Sequence, residues 1–216
     1  MRHFIIAISF FIVACNDNSQ PKQQVSIDSS QVNLSDTTKN VWVDKLNQRR
    51  YPLPDSIGGK PVSFYLNNPK VASIAKLFYQ AQFRPIDNDS TTQLLSCVTT
   101  DDSTIRPFYR WCLDFTIQIS DGALTEYTGE PALKYATKFP KEFFAYMDKE
   151  KSGQRYKQWT EIIAYSGLDN YEDKPDKIQK QITTKIFTNC QSCNDSVRQR
   201  IDKFAKDITD AIKLQD

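Results

Sequence analysis

After Gly59 the apolar side chains recur at steps of three and four, and this period restricts what the chain can fold into more than any other property does. The strongest run is Phe108, Trp111, Cys112, Phe115 and Ile119, which has the spacing of a buried helical face. Asn68-Pro69 ahead of Val71, Ile74, Ala75 and Phe78 reads as a helix start, because Asn caps well and Pro suits a first turn. Asp89-Ser90-Thr91 before Leu94, Leu95 and Val98 gives another start, and Asp101-Asp102-Ser103 offers the cap for the Phe108 run. Glu130-Pro131 and Pro140-Lys141-Glu142 each place a proline and an acid in a first helical turn. Gly153 opens a helix carrying Tyr156, Trp159, Ile162 and Ile163 that ends near Gly167, and Val197, Ile201, Phe204, Ile208 and Ile212 form one last seam. The stretch 182–188 is β-branched and aromatic enough for a strand. Ile178, Ile182 and Ile186 nevertheless fall at helical spacing after Pro175, and helix is preferred. The expectation is an all-α domain over 59–216, an irregular helical bundle or stack of helical hairpins with six to eight helices.

The chain ahead of that domain has a different character. From Asn16 to Gly58 it is rich in Ser, Gln, Asn, Asp and Lys and too poor in apolar residues to cover a core, so it reads as a flexible tether. Val41-Trp42-Val43 with Leu46 interrupts it as a weak amphipathic patch, expected to dock on the domain as a short helix. Tyr51-Pro52-Leu53-Pro54 favours extended backbone, and Gly58-Gly59 offers a turn at the domain boundary. Before the tether, Arg2 gives a positive start, Phe4 to Val13 an apolar run, and Ala14 a small residue ahead of Cys15. That run is well short of the roughly 20 residues that cross a bilayer, and its anatomy is that of a secretory signal.

Ile12-Val13-Ala14-Cys15 resembles the lipobox of bacterial lipoproteins. The resemblance covers residues 1–15 and implies that residues 1–14 are a signal peptide, removed after the Cys15 sulfur receives diacylglycerol. The freed amino group of Cys15 is then acylated, and residues 15–58 become a lipidated tether. Two or three acyl chains hold a protein on a membrane stably where one holds it marginally. In the enterobacterial sorting pattern an Asp directly after the modified Cys retains the protein in the inner membrane. Asn16 occupies that position, which implies a place in the cell envelope on the outer membrane.

Loss of residues 1–14 removes Arg2 and no acid, so 27 of the 28 basic side chains remain against 26 acidic ones, a net charge of +1. Near balance points to neither nucleic acid nor another polyanion as partner. His3, the only histidine, goes with the leader. A mature chain without histidine excludes Ser-His-Asp and Cys-His nucleophile sites, HExxH metalloproteases and His-ligated haem. Glycine is scarce and no phosphate-cradling or dinucleotide motif occurs, so no cofactor is expected.

Four cysteines follow Cys15: Cys97, Cys112, Cys190 and Cys193. Export places them in an oxidising compartment, and Cys190 with Cys193 is close enough to bridge wherever the loop runs. A redox role for that pair is disfavoured, because only one helix follows it, and Asn194 stands where a c-type haem motif needs His. Cys97 and Cys112 are either a second bridge or buried thiols. No metal site is expected, since the gap between them matches no zinc knuckle.

The central run Arg106-Pro107-Phe108-Tyr109-Arg110-Trp111 with Asp114, Asp121 and Glu126 sets charges beside the most apolar helix. Arg106 paired with Asp121 or Glu126 in a groove would be a ligand-binding site. The alternative for these residues is a structural salt bridge with helix capping. The functional expectation is a non-catalytic envelope lipoprotein that binds another envelope protein or component. A small carboxylate-dependent hydrolase of envelope glycan or peptide, using Asp121 with Glu126, is the alternative.

Overall fold

The computed structural model describes residues 40–169, 171 and 174–214. The leader, Cys15 and the stretch 16–39 of the expected tether lie outside them.

The described chain opens with a β-hairpin, β1 (Val41–Asp44) and β2 (Arg49–Pro52), in which Trp42 stands opposite Tyr51 and Val43 opposite Arg50. A second, minimal hairpin follows, β3 (Ser56–Ile57) and β4 (Lys60–Pro61), turning on Gly58 and Gly59. Both glycines have positive φ, and a Cβ on Gly58 would lie 2.7 Å from that of Pro107. The rest is helical: α1 (Val62–Leu66), α2 (Ser73–Tyr79), α3 (Asp89–Ser96), a 3₁₀ turn at Cys97–Thr99, and α4 (Arg106–Ile119). There follow α5 (Gly122–Thr125), α6 (Gly129–Lys138), α7 (Pro140–Met147), α8 (Gln154–Ser166), α9 (Pro175–Thr188) and α10 (Asp195–Lys213). The fold is an all-α bundle, and seven of these helices have eight residues or more.

Local chemistry accounts for most of the boundaries. Asn88 and Asn194 cap α3 and α10 by accepting from the Thr91 and Val197 amides, and Asp121 caps α5 through Leu124 N. Pro140 and Pro175 occupy first turns. The stretch 182–188 lies in α9, where Ile178, Ile182 and Ile186 are buried on one face. Asn68-Pro69 does not begin α2. The Asn68 side chain accepts from Lys70 N at 2.9 Å and its carbonyl from Val71 N, a turn that delays the helix to Ser73.

The region 41–58 departs from the expected tether and short helix. The described residues from 40 onward belong to one compact unit, so the folded part begins well before residue 59. Val41-Trp42-Val43-Asp44 alternates sides in a strand, and Trp42 and Asp44 both turn inward. Trp42 is 1% exposed, and its Nε1 donates to the Phe78 carbonyl at 2.9 Å. A helix of four residues would bury one of those two side chains; the strand buries both.

At the centre runs α4, with eleven of its fourteen residues buried. One face is aromatic: Phe108 stacks on Tyr65, Trp111 on Phe115, and Phe115 meets the edge of Trp42 at 5.1 Å. On the other side α6 packs against α8 and α9, and α10 against α8 and α9. Gly129 in α6 meets Gly167 at the end of α8 so closely that a Cβ would lie 2.6 Å from the Gly167 amide nitrogen. Small residues there let the two helices approach.

Candidate functional site

The face of α4 opposite its rings carries Arg106, Arg110 and Asp114 at successive turns, all three buried. Arg106 Nε donates to Glu142 Oε2 at 2.9 Å and its Nη1 to the Thr100 carbonyl at 2.7 Å. Arg110 Nη1 donates to Glu142 Oε1 at 2.9 Å, which also accepts from the Tyr135 hydroxyl at 2.9 Å. One turn on, Asp114 Oδ1 accepts from Trp159 Nε1 at 2.7 Å, and Oδ2 from the Tyr146 hydroxyl at 2.8 Å, with Arg155 Nε 3.4 Å away. The guanidinium of Arg106 lies over Phe139, and those of Arg110 and Arg155 over Tyr146. Burial pushes the Tyr135 and Tyr146 hydroxyls well above the ordinary phenol range, so both serve as neutral donors. Arg110 Nε, buried, has no hydrogen-bond partner among the described residues.

This network joins α4 to α6, α7 and α8, and its chemistry is structural. Each carboxylate oxygen in it accepts from at least one donor. The carboxylates with a displaced pKa, Asp44, Asp101, Asp102, Asp148, Glu150 and Asp210, all move down.

The expected pairing of Arg106 with Asp121 or Glu126 is not formed. Arg106 begins α4, and Asp121 follows its other end; fourteen helical residues at about 1.5 Å each separate them. Asp121 instead caps α5 and lies 3.8 Å from Arg84, and Glu126 is exposed. Glu142 is the carboxylate partner of Arg106 instead, in a structural network and not in a ligand groove. The run of charges around Arg106 pointed to a buried ion pair, but the carboxylate comes from the first turn of α7, 36 residues away.

Cys190 and Cys193 are joined by a disulfide in the bend between α9 and α10, as their spacing anticipated. Cys97 and Cys112 are buried thiols rather than a second bridge. Burial drives the Cys112 thiol well above its usual range, and Cys97 Sγ lies 3.4 Å from the Gln93 carbonyl. No cluster of three or more metal-ligating side chains occurs among the described residues.

Behind the ionic face, α6 and α9 enclose a surface groove of about 510 Å³. Lys134, Lys138 and Lys185 line it with Glu130, Tyr171 and Asn189. Lys134 pairs with Glu130 at 2.8 Å, and Lys138 with Asp101 at 2.8 Å, while Lys185 lies over the Tyr171 ring at 4.0 Å. Asn189 Nδ2 donates to the Thr137 carbonyl. Such exposed pairs are worth about 0–1 kcal/mol. A second groove of about 430 Å³ between α7 and α10 has an apolar floor of Phe144, Met147 and Tyr156. Its cations are Lys151, Arg200 and Lys203, beside the acids Asp148 and Glu150, and Arg200 is held by both oxygens of Asp148 at 2.7 and 2.9 Å. The α6/α9 groove sets three lysines against one lining acid, Glu130, and so has the larger positive excess. Sequence reasoning missed it, because Lys134, Lys138 and Lys185 read singly as solvated helix faces.

Comparison with protein-family models, with curated proteins and with solved structures returns no match.

Proposed function

We propose that the protein is a lipid-anchored, non-catalytic binding module of the bacterial cell envelope. Its acyl chains on Cys15 hold it to a membrane, in the outer rather than the inner membrane, and its helical domain recognises an anionic envelope component. The observation that carries the binding part is the α6/α9 groove, where three lysines, an aromatic ring and an amide converge on one concave surface. Their neighbours offer hydrogen-bonding groups and cations rather than a paired general acid and base, which favours recognition over hydrolysis. The anchoring part rests on the signal and lipobox pattern of residues 1–15.

The test is photo-crosslinking in intact cells from a reactive side chain installed at Thr137, in the groove wall. One anionic envelope component is expected in the crosslinked product, lost in the Lys134→Glu/Lys185→Glu double variant and retained when the same two changes are made at Lys203 and Lys206. Cleavage of cell-wall material by the pure protein, with no component captured, would overturn the binding reading.

A further inference from the structure

We propose that the outer face of the β1–β2 hairpin docks on an anionic lipid surface, the same membrane that bears the anchor; this rests on the lipid-anchored reading above. The hairpin is the first element of the described chain, and Asn40 follows Cys15 by 25 residues. Its charge is sorted by exposure. Asp44, the one acid between Val41 and Pro52, is turned inward, with its oxygens accepting from Arg84 Nε at 2.9 Å and Nη2 at 3.1 Å. Lys45 in the turn and Arg50, across from Val43, are exposed on the outer side; Arg49, across from Asp44, is exposed at the end of the ladder, and no carboxylate among the described residues pairs with any of the three.

Two apolar side chains stand among these cations. Val43 is 41% exposed, directly across the ladder from Arg50, and Leu46 at the tip is 66% exposed. The tip is built before it meets anything: Leu46 N donates to Asp44 Oδ1 at 3.0 Å, Arg49 N to Asn47 Oδ1 at 2.9 Å, and Gln48 Nε2 to the Lys45 carbonyl at 2.9 Å. An apolar tip ringed by cations, with no acid facing outward, complements an interface of acyl chains below anionic headgroups. Preorganisation lowers the ordering cost of contact.

The placement also orients the domain. Trp42 and Tyr51 of the hairpin touch Phe115 on the aromatic face of α4, whereas Tyr135 of α6 touches Arg110 on the opposite face. With the hairpin against the lipid, α4 lies between the membrane and the α6/α9 groove, and the groove is presented away from the bilayer.

The test uses the mature-length chain from residue 15 with Cys15→Ser, which carries no acyl group, and co-sedimentation with phosphatidylcholine vesicles with or without phosphatidylglycerol. Anionic vesicles are expected to bind it on the order of a hundredfold more tightly, as three surface cations allow, and high salt should erase the difference. Lys45→Gln/Arg49→Gln/Arg50→Gln should remove most of that preference, and Leu46→Ser part of it. Lys134→Gln/Lys138→Gln/Lys185→Gln, equal in charge change, should keep it. An unchanged near-UV spectrum shows that the hairpin variants remain folded. Equal binding by the hairpin variant and the parent, or loss in the groove variant alone, overturns the proposal. Absence of acyl mass on Cys15 in chain recovered from cells would defeat the anchoring reading instead, so the two failures are distinguishable.

Discussion

The two faces of α4 are buried to a similar degree and held by opposite chemistry. Toward the hairpin, α1 and α2, Phe108, Trp111 and Phe115 meet Tyr65, Phe78, Tyr79, Trp42 and Tyr51 through rings alone. Toward α6, α7 and α8, Arg106, Arg110 and Asp114 meet Glu142, Tyr135, Tyr146 and Trp159 through directed hydrogen bonds. The burial that drives ring packing is non-directional, and its energy follows the apolar surface and volume filled. The ionic face depends on complete pairing, because a buried charge or donor left alone carries its desolvation cost. The aromatic face is therefore expected to tolerate change of shape-conserving kind, and the ionic face to reject even isosteric change.

The largest expected effect lies on the aromatic side, where truncation leaves a hole. Trp42→Ala should cost about 3–5 kcal/mol in denaturant unfolding, since a nearly full-volume cavity opens between β1, α2 and α4 and the bond to Phe78 O is lost. Limited proteolysis checks the locality of the loss: cleavage within 44–50 should appear before cleavage in α6 to α10. A comparable loss with no early cleavage of the hairpin would mean that Trp42 supports the whole bundle rather than docking one element to it.

The sharper contrast comes from two conservative substitutions on the same helix. Phe108→Leu keeps an apolar side chain of similar bulk and should cost under about 1.5 kcal/mol. Asp114→Asn is isosteric, but its amide replaces an acceptor facing Trp159 Nε1 or the Tyr146 hydroxyl and leaves Arg155 without its carboxylate. That change should cost about 2–3 kcal/mol, reduced from the fully buried range because Arg155 reaches solvent. If the two variants lose equal stability, the faces do not differ in the way their geometry implies.

How far each face was legible from the chain follows the same division. The aromatic face was readable because Phe108, Trp111, Phe115 and Ile119 repeat within one helix, and period alone assigns them to a core. The charges of the ionic face were visible as residues, but their partners were not. Glu142 in Pro140-Lys141-Glu142 reads as an acid placed favourably in a first helical turn, a local role that conceals its long-range one. Pairing across 36 residues depends on how α4 and α7 cross, which no local pattern encodes. The hairpin was hidden by length: four residues of β1 cannot separate the period of a strand from that of a helix, and β2 carries exposed Arg49 and Arg50 where alternation would be sought. The groove was the least visible, since its lysines are ordinary until α6 and α9 are placed side by side.

Acid should distinguish the faces with the smallest amplitude, because it acts through single carboxylates. Burial works to raise the pKa of Asp44, yet the hydrogen bond from Arg84 and the Leu46 amide more than offset it, and the net displacement is downward from 3.8. A depressed folded value means that the stability Asp44 contributes is complete above 3.8 and fades as pH falls through the lower, folded value. Once protonated, Asp44 loses its charge opposite Arg84 beneath the hairpin, while the ring contacts of Trp42 are untouched. Hydrogen exchange of the amides in 44–50 should therefore accelerate at strongly acidic pH with the helical amides of α4 still protected. Asp44→Asn should show the same rapid exchange at neutral pH and no further acid step in that segment. An acid step that survives in Asp44→Asn would trace the loosening to another carboxylate, with Asp121, 3.8 Å from the same arginine, the next to substitute.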